Sequence, residues 1–250
     1  MLLYNFLRYS ALPILILLAS VSASSAKTIK YQSEVSNAKW NTTVRGTLTV
    51  PKGSGPFPAV IFLHPCAGIT PPVQKSLGAY ASYLAKNGFA TFVFDSLSPR
   101  GLNGGKACGG PLSAPASKLQ MDDAYNAMEI LKGTENIDGE NIFLAGQSLG
   151  GTASLRASSD VYSLHDTAFR AVAAWYPSCR IISGGTILKS PLLVLAAGKD
   201  DWTPPDICVE VKEGNQASGA EYDVAVYLDA LHAFDQPRKR DTYKGHVLEY

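Results

Sequence analysis

The stretch Gly146-Gln147-Ser148-Leu149-Gly150 constrains this chain more than any other. It follows the apolar run Asn141-Ile142-Phe143-Leu144-Ala145 and precedes the small residues Gly151, Thr152, Ala153 and Ser154. So short an apolar run reads as a buried strand, and the small residues read as a helix opening close behind it. Between them the chain must reverse on a sharp turn. Such a turn holds the serine in a strained backbone conformation with its hydroxyl projecting outward. Glycine at 146 and 150 is then a steric requirement, because a side chain at either would collide with the neighbouring strand or helix. The pentapeptide alone is a weak pattern; the strand–turn–helix setting gives it weight.

A serine hydroxyl is a poor nucleophile until a base takes its proton and an acid orients that base. On a scaffold with this turn the partners follow in chain order, acid first and then histidine. Three histidines lie after residue 148: His165, His232 and His246. His232 follows the strand-like run Asp223-Val224-Ala225-Val226-Tyr227-Leu228 and opens a loop, where a sheet delivers a base. His165 lies in a polar stretch and reads as solvated surface, and His246 is four residues from the last residue. The acid should end the preceding strand, Pro191-Leu192-Leu193-Val194-Leu195-Ala196-Ala197. Asp200 and Asp201 compete there. Asp200 is favoured because it is nearer the strand end and Thr203-Pro204 fits the start of the next helix, with Thr203 as cap. Asp201 would then point away and help cap that helix. The oxyanion of a tetrahedral intermediate needs two backbone N–H donors. One is expected at Leu149. The other is expected at Cys66, in the loop after the strand 58–63, since Pro65 has no N–H.

The rest of the chain alternates between strands and helices. Strands are expected near 58–63, 89–94, 141–145, 170–175, 191–197 and 222–228, and helices near 72–87, 117–132, 149–158 and 205–213. That alternation implies a mostly parallel central sheet with helices on both faces. Residues 27–50 alternate in polarity and read as an antiparallel edge hairpin. The Gly-, Pro- and Ser-rich stretch 96–116 reads as a long loop roofing the site. No repeat or linker divides the chain, so residues 27–250 are expected to form one domain.

Residues 1–26 read as a cleaved secretory signal. Arg8 supplies a basic start, residues 11–19 an apolar centre, and Ala23 or Ala26 the small-residue cleavage site. The apolar run is too short for a comfortable membrane span, so no stable membrane insertion is expected after cleavage. The whole chain carries 22 Lys+Arg and 21 Asp+Glu, a balance that offers nucleic acid no bulk attraction. Export implies an oxidising compartment, periplasmic or extracellular, and the four cysteines are even in number. Three pairings are possible. Cys179 with Cys208 is favoured because each follows the end of a neighbouring strand, which leaves Cys66 with Cys108. No Cys/His spacing suggests a metal, and no organic cofactor is expected. Asn41-Thr42-Thr43 is a glycosylation sequon that acts only in a glycosylating host.

With these residues placed, the chain resembles the dienelactone hydrolase family of the α/β-hydrolase superfamily. The resemblance rests on Leu63-His64-Pro65-Cys66-Ala67-Gly68, Asp95-Ser96-Leu97-Ser98-Pro99-Arg100-Gly101, Gly146-Gln147-Ser148-Leu149-Gly150-Gly151, Tyr176-Pro177-Ser178-Cys179, Asp200-Asp201-Trp202-Thr203-Pro204 and His232-Ala233-Phe234-Asp235-Gln236-Pro237. It implies an α/β-hydrolase fold with Ser148 as nucleophile, His232 as base and Asp200 as its orienting acid. The dienelactone-cleaving members of that family use a cysteine nucleophile. Serine here points instead to a general ester or lactone substrate. The family's closing helix has only 18 mostly polar residues after His232 in which to form, so it is expected to be short, absent or beyond the last residue.

Arg100 is expected either to bind a substrate carboxylate or to tie down the 96–116 loop. Tyr176 and Trp202, with Trp175, are expected to line a substrate pocket or to serve as core aromatics. His64 is expected to bond the backbone and shape the oxyanion loop. Asp122 and Asp123 are expected early in a helix, where they favour its dipole. The function expected is hydrolysis of a small-molecule ester or lactone through an acyl-enzyme. A peptidase on the same triad and a non-catalytic binding protein on the same scaffold are the alternatives.

Overall fold

The computed structural model describes residues 25–163, 165–183, 185–214, 217–237 and 240–248. The expected signal lies outside these residues except for Ser25 and Ala26. In chain order the elements are β1 (Ser25–Ser33), β2 (Thr42–Val50), β3 (Phe57–Leu63), α1 (Pro71–Lys86), β4 (Ala90–Asp95), α2 (Ser113–Lys132), β5 (Ile137–Gln147) and α3 (Leu149–Ser158). They continue with β6 (Val172–Trp175), β7 (Thr186–Leu188), β8 (Leu192–Ala197), α4 (Asp206–Glu213), β9 (Ala217–Gly219), β10 (Tyr222–Tyr227), β11 (Asp241–Tyr243) and β12 (His246–Leu248). Eight strands form the central sheet in the order β1-β2-β4-β3-β5-β6-β8-β10. From β4 to β10 every pairing is parallel, and β1 and β2 close one edge antiparallel.

Alternation along β3 shows how the sheet is covered. Ala59, Ile61 and Leu63 join the large core built with α2, α3 and α4. Val60 and Phe62 point the other way and pack with Val73 and Leu77 of α1. Such strands are apolar on both faces because helices lie on both. A third cluster sits above the carboxyl ends of the strands. It joins Leu97, Leu102, Ala107 and Cys108 of the roofing loop to Cys66 and Leu149.

One boundary differs from the sequence expectation for a physical reason. Helix α2 begins at Ser113 rather than 117. Pro115 falls in its first turn, where a missing N–H costs nothing. Asp122 and Asp123 therefore lie mid-helix, and the dipole no longer accounts for them. Asp123 pairs with Arg100, and Asp122 accepts from the Ser36 N–H and hydroxyl at 3.0 and 2.9 Å. No closing helix follows His232 in the described residues; β11 and β12 form an antiparallel hairpin there. The structure joins Cys66 to Cys108 and Cys179 to Cys208. Among the described residues no helix is long and apolar enough to cross a membrane.

Candidate active site

Four loops at the carboxyl ends of the parallel strands carry the polar side chains of interest, as open α/β sheets commonly place their ligands. The loop after β3 supplies Cys66, the β5–α3 turn Ser148, the loop after β8 Asp200 and the loop after β10 His232. Ser148 has φ 53° and ψ −112°, a rare conformation for a residue with a side chain. Its N–H donates to Trp175 O at 2.9 Å, and its carbonyl accepts from Thr152 N–H at 2.8 Å, the first bond of α3. The turn is tight enough to explain both glycines. A Cβ on Gly146 would lie 2.2 Å from Gly150 O, and one on Gly150 would lie 2.4 Å from Leu63 O.

Ser148 Oγ stands 2.9 Å from His232 Nε2, and His232 Nδ1 stands 2.7 Å from Asp200 Oδ2. An ionised carboxylate only accepts, so Nδ1 carries the hydrogen and Nε2 is left to accept from the serine. All three groups are buried. Burial by itself would raise the Asp200 pKa, but the hydrogen bond and charge of His232 and the amides of Thr203 and Trp202 outweigh it. The net result is a carboxylate held below its ordinary range. Asp200 Oδ1 accepts from both of those amides at 2.9 Å, which frees Oδ2 for the histidine. Thr203 does not cap the next helix. Its hydroxyl lies 3.0 Å from Tyr176 O and 2.9 Å from Asp200 Oδ2, and the residue before α4 is Pro205. Asp201 does not cap α4 either. It faces the C-terminal hairpin, 3.4 Å from His246 Nδ1 and from Val247 N.

Two cavities open beside Ser148. One of about 210 Å³ is mainly apolar and is lined by Val73, Trp202, Ala233, Tyr243, Leu248 and the Cys66–Cys108 bridge. The other, about 320 Å³, is rich in hydroxyls, with Ser117, Thr152, Ser178 and Thr203 beside Arg156. Cys66 and Leu149 border this second cavity together with Ser148. Leu149 is the first residue of α3, so its N–H has no helical carbonyl to bond.

The structure separates the other candidates. The Arg100 guanidinium is only 1% exposed and forks onto both Asp123 oxygens at 2.7 and 2.8 Å. Further donors reach Trp40 O and Ser96 O at 2.7 and 2.6 Å. It therefore ties the roofing loop down, and it lines neither cavity beside Ser148. Tyr176 is 1% exposed and reaches neither cavity; its ring packs edge-on beneath His232, with centroids 4.7 Å apart. Trp202 does border both cavities. Trp175 packs against Tyr80 on the α1 side of the sheet. His64 Nδ1 bonds Pro65 O at 2.8 Å and Nε2 accepts from Ser96 N–H at 3.2 Å, while burial lowers its pKa. His165 stacks on Tyr125, away from the serine.

One polar group was missed from sequence. Asp235, part-buried and three residues after His232, accepts from Tyr80 OH at 3.0 Å, from Tyr176 OH and from Gln147 Nε2. Burial raises its pKa more than these bonds lower it. An acid three residues after His232, following Ala233-Phe234, was the available signal.

Sheet, turn and strand-end loops together define an α/β hydrolase. The model of the Dienelactone hydrolase family matches residues 44–248, and the chain belongs to that family. A Methylorubrum extorquens protein provisionally named a carboxymethylenebutenolidase is 25% identical over 202 residues, 74% of this chain and 66% of its own length. A Klebsiella pneumoniae structure provisionally described as a dienelactone hydrolase superposes with TM-score 0.62 at 18% identity, covering 84% of this chain and 88% of that one. Dipeptidyl peptidase 4 of Porphyromonas gingivalis gives 0.60 at 14% identity, but this chain covers only 33% of it.

Proposed function

We propose that the chain is an exported serine hydrolase that cleaves a carboxylic ester or lactone. The observation that carries this reading is the unbroken line from Ser148 Oγ through His232 to Asp200, ending between two cavities. Ser148 Oγ attacks the carbonyl carbon while His232 Nε2 takes its proton. Asp200 holds Nδ1–H and balances the imidazolium. The Leu149 and Cys66 amides receive the oxyanion. Collapse then breaks the C–O bond, His232 returns the proton to the departing alkoxide, and an acyl-serine remains. In a lactone the alcohol stays attached to the acyl group. Water, deprotonated by the same histidine, hydrolyses the acyl-enzyme. No step calls for a metal or organic cofactor, and the substrate is a small molecule.

The leader and the two disulfides support export. Strand β1 also bears on the cleavage site. Ser25 and Ala26 pair with Val50 and Thr49, so cleavage after Ala23 keeps the strand whole, whereas cleavage after Ala26 removes both pairs. The mature chain then forms one catalytic domain that begins at residue 24.

The test is hydrolysis of p-nitrophenyl esters from acetate to laurate by the wild type and Ser148→Ala. Turnover that falls on the order of 10⁶-fold in the variant supports the reading. Comparable turnover in both proteins overturns it. Labelling of Ser148 by a fluorophosphonate excludes an inert scaffold.

A further inference from the structure

The hairpin β11–β12 stands where the sequence resemblance implies a closing helix. Two three-residue strands have little stability alone, so what holds them is informative. Pairing of Tyr243 with His246 and of Asp241 with Leu248 puts Tyr243, His246 and Leu248 on one face by strand alternation. That face meets the acid loop and the apolar cavity. Trp202 stacks on His246 at 4.6 Å with the rings 12° apart, and on Tyr243 at 5.9 Å. Asp201 faces His246 and the Val247 amide. From the turn, Lys244 Nζ donates to Gly105 O at 3.1 Å and to Cys108 O at 2.5 Å, fastening the hairpin to the roofing loop. Leu248 lies 4% exposed and pairs with the base residue His232 itself. The acid loop therefore divides its work. Asp200 orients the base, and its neighbours Asp201 and Trp202 anchor the hairpin.

We propose that Tyr243 and Leu248 are specificity-determining residues: both line the apolar cavity, and there they act as the wall that sets the length of acyl group Ser148 can attack. This rests on the ester-hydrolase reading above. The apolar cavity suits the hydrocarbon of an acyl chain, whereas the hydroxyl-lined one suits the polar alcohol portion. An acyl chain that grows beyond the wall must displace Leu248, which packing around Trp202 and Lys244 resists.

The experiment measures kcat/KM across p-nitrophenyl esters from acetate to laurate for the wild type, Leu248→Ala, Leu248→Phe and Tyr243→Ala. Leu248→Ala removes three carbons from the wall and should lengthen the preferred chain by about that number. The ratio of long- to short-chain kcat/KM should rise by on the order of tenfold, through KM, and Tyr243→Ala should move it the same way. Leu248→Phe should shift it in the opposite direction. A merely structural hairpin would lower all lengths together in every variant. Thermal unfolding checks that each variant is folded, and Leu248→Val reads a smaller shift if Leu248→Ala is not. Serine-dependent wild-type turnover with an unmoved length profile in the folded variants overturns the role of the hairpin and leaves the hydrolase reading standing. If the wild type turns over no ester, the same comparison is made from the rates at which alkyl fluorophosphonates of increasing length label Ser148. Absence of labelling at every length overturns both readings.

Discussion

Ser148 and His232 meet across 2.9 Å, but different forces hold them there. Backbone holds the serine: a turn at φ 53°, a strand amide bonded to Trp175 O, and two glycines whose neighbours leave no room for a Cβ. Side chains hold the histidine: Asp200 at one ring nitrogen, the Tyr176 and Trp202 rings against its faces and edge, and the Leu248 strand alongside. A backbone-held group tolerates substitution of its surroundings until a clash breaks it. A side-chain-held group can be detuned one contact at a time. The two sides should therefore fail in different ways.

The largest contrast lies between two adjacent aspartates. Asp200→Asn should lower kcat/KM by on the order of 10⁴-fold, because an amide does not fix the Nδ1–H tautomer. Asp201→Asn should cost far less, since among the described residues its side chain bonds the hairpin and not His232. Steady-state kinetics of the pair checks this, and equal losses would mean that the acid has been misassigned. The disulfides give the next contrast. They close 42 and 29 residues, so removal of either should lower stability by about 4 kcal/mol in denaturant titrations. Loss of Cys66–Cys108 should also impair turnover, because the proposed mechanism places an oxyanion donor at the Cys66 amide. Loss of Cys179–Cys208 should leave the kcat of the folded fraction near that of the wild type. On the serine side, Gly150→Ala should destabilise by about 3 kcal/mol, seen as a lower Tm, because the added methyl meets strand backbone rather than a movable side chain. The smallest effect is a pH slope with two signs. Asp200, held below the ordinary carboxyl range near about pH 4, adds stability above that pH and loses it as pH falls through its own lower value. Asp235, held above that range by burial, keeps its proton longer when folded. It therefore costs stability as pH rises from about 4 toward its raised value. Asp235→Asn should remove that second slope, as Tm measured between about pH 4 and 7 would show; an unchanged slope would mean that Asp235 is ionised without penalty.

The same contrast explains how much could be read from sequence. The parallel sheet and its helices were legible because long apolar runs and their spacing survive in one dimension. The turn at Ser148 was legible because steric demand restricts positions 146 and 150 to glycine. Chain order and strand ends pointed to His232 and Asp200. Arg100 left two roles open, since nothing local shows that Asp123, twenty-three residues on, lies against it in the core. Tyr176 could not be separated from Trp202 because both follow apolar strands, and only the fold decides which ring turns inward. The hairpin left no trace at all. Its strands are three residues long, and its support comes from Trp202, Asp201 and the 105–108 loop, all distant in sequence.

Gln147 occupies the position that the glycine–serine pattern leaves blank, and it looks like the natural place to diversify the turn. Its side chain is fully buried and donates to Ser76 Oγ at 3.1 Å and to Asp235, on the loop that carries His232. The blank in the pattern thus marks a residue whose side chain is tied to the opposite side of the site.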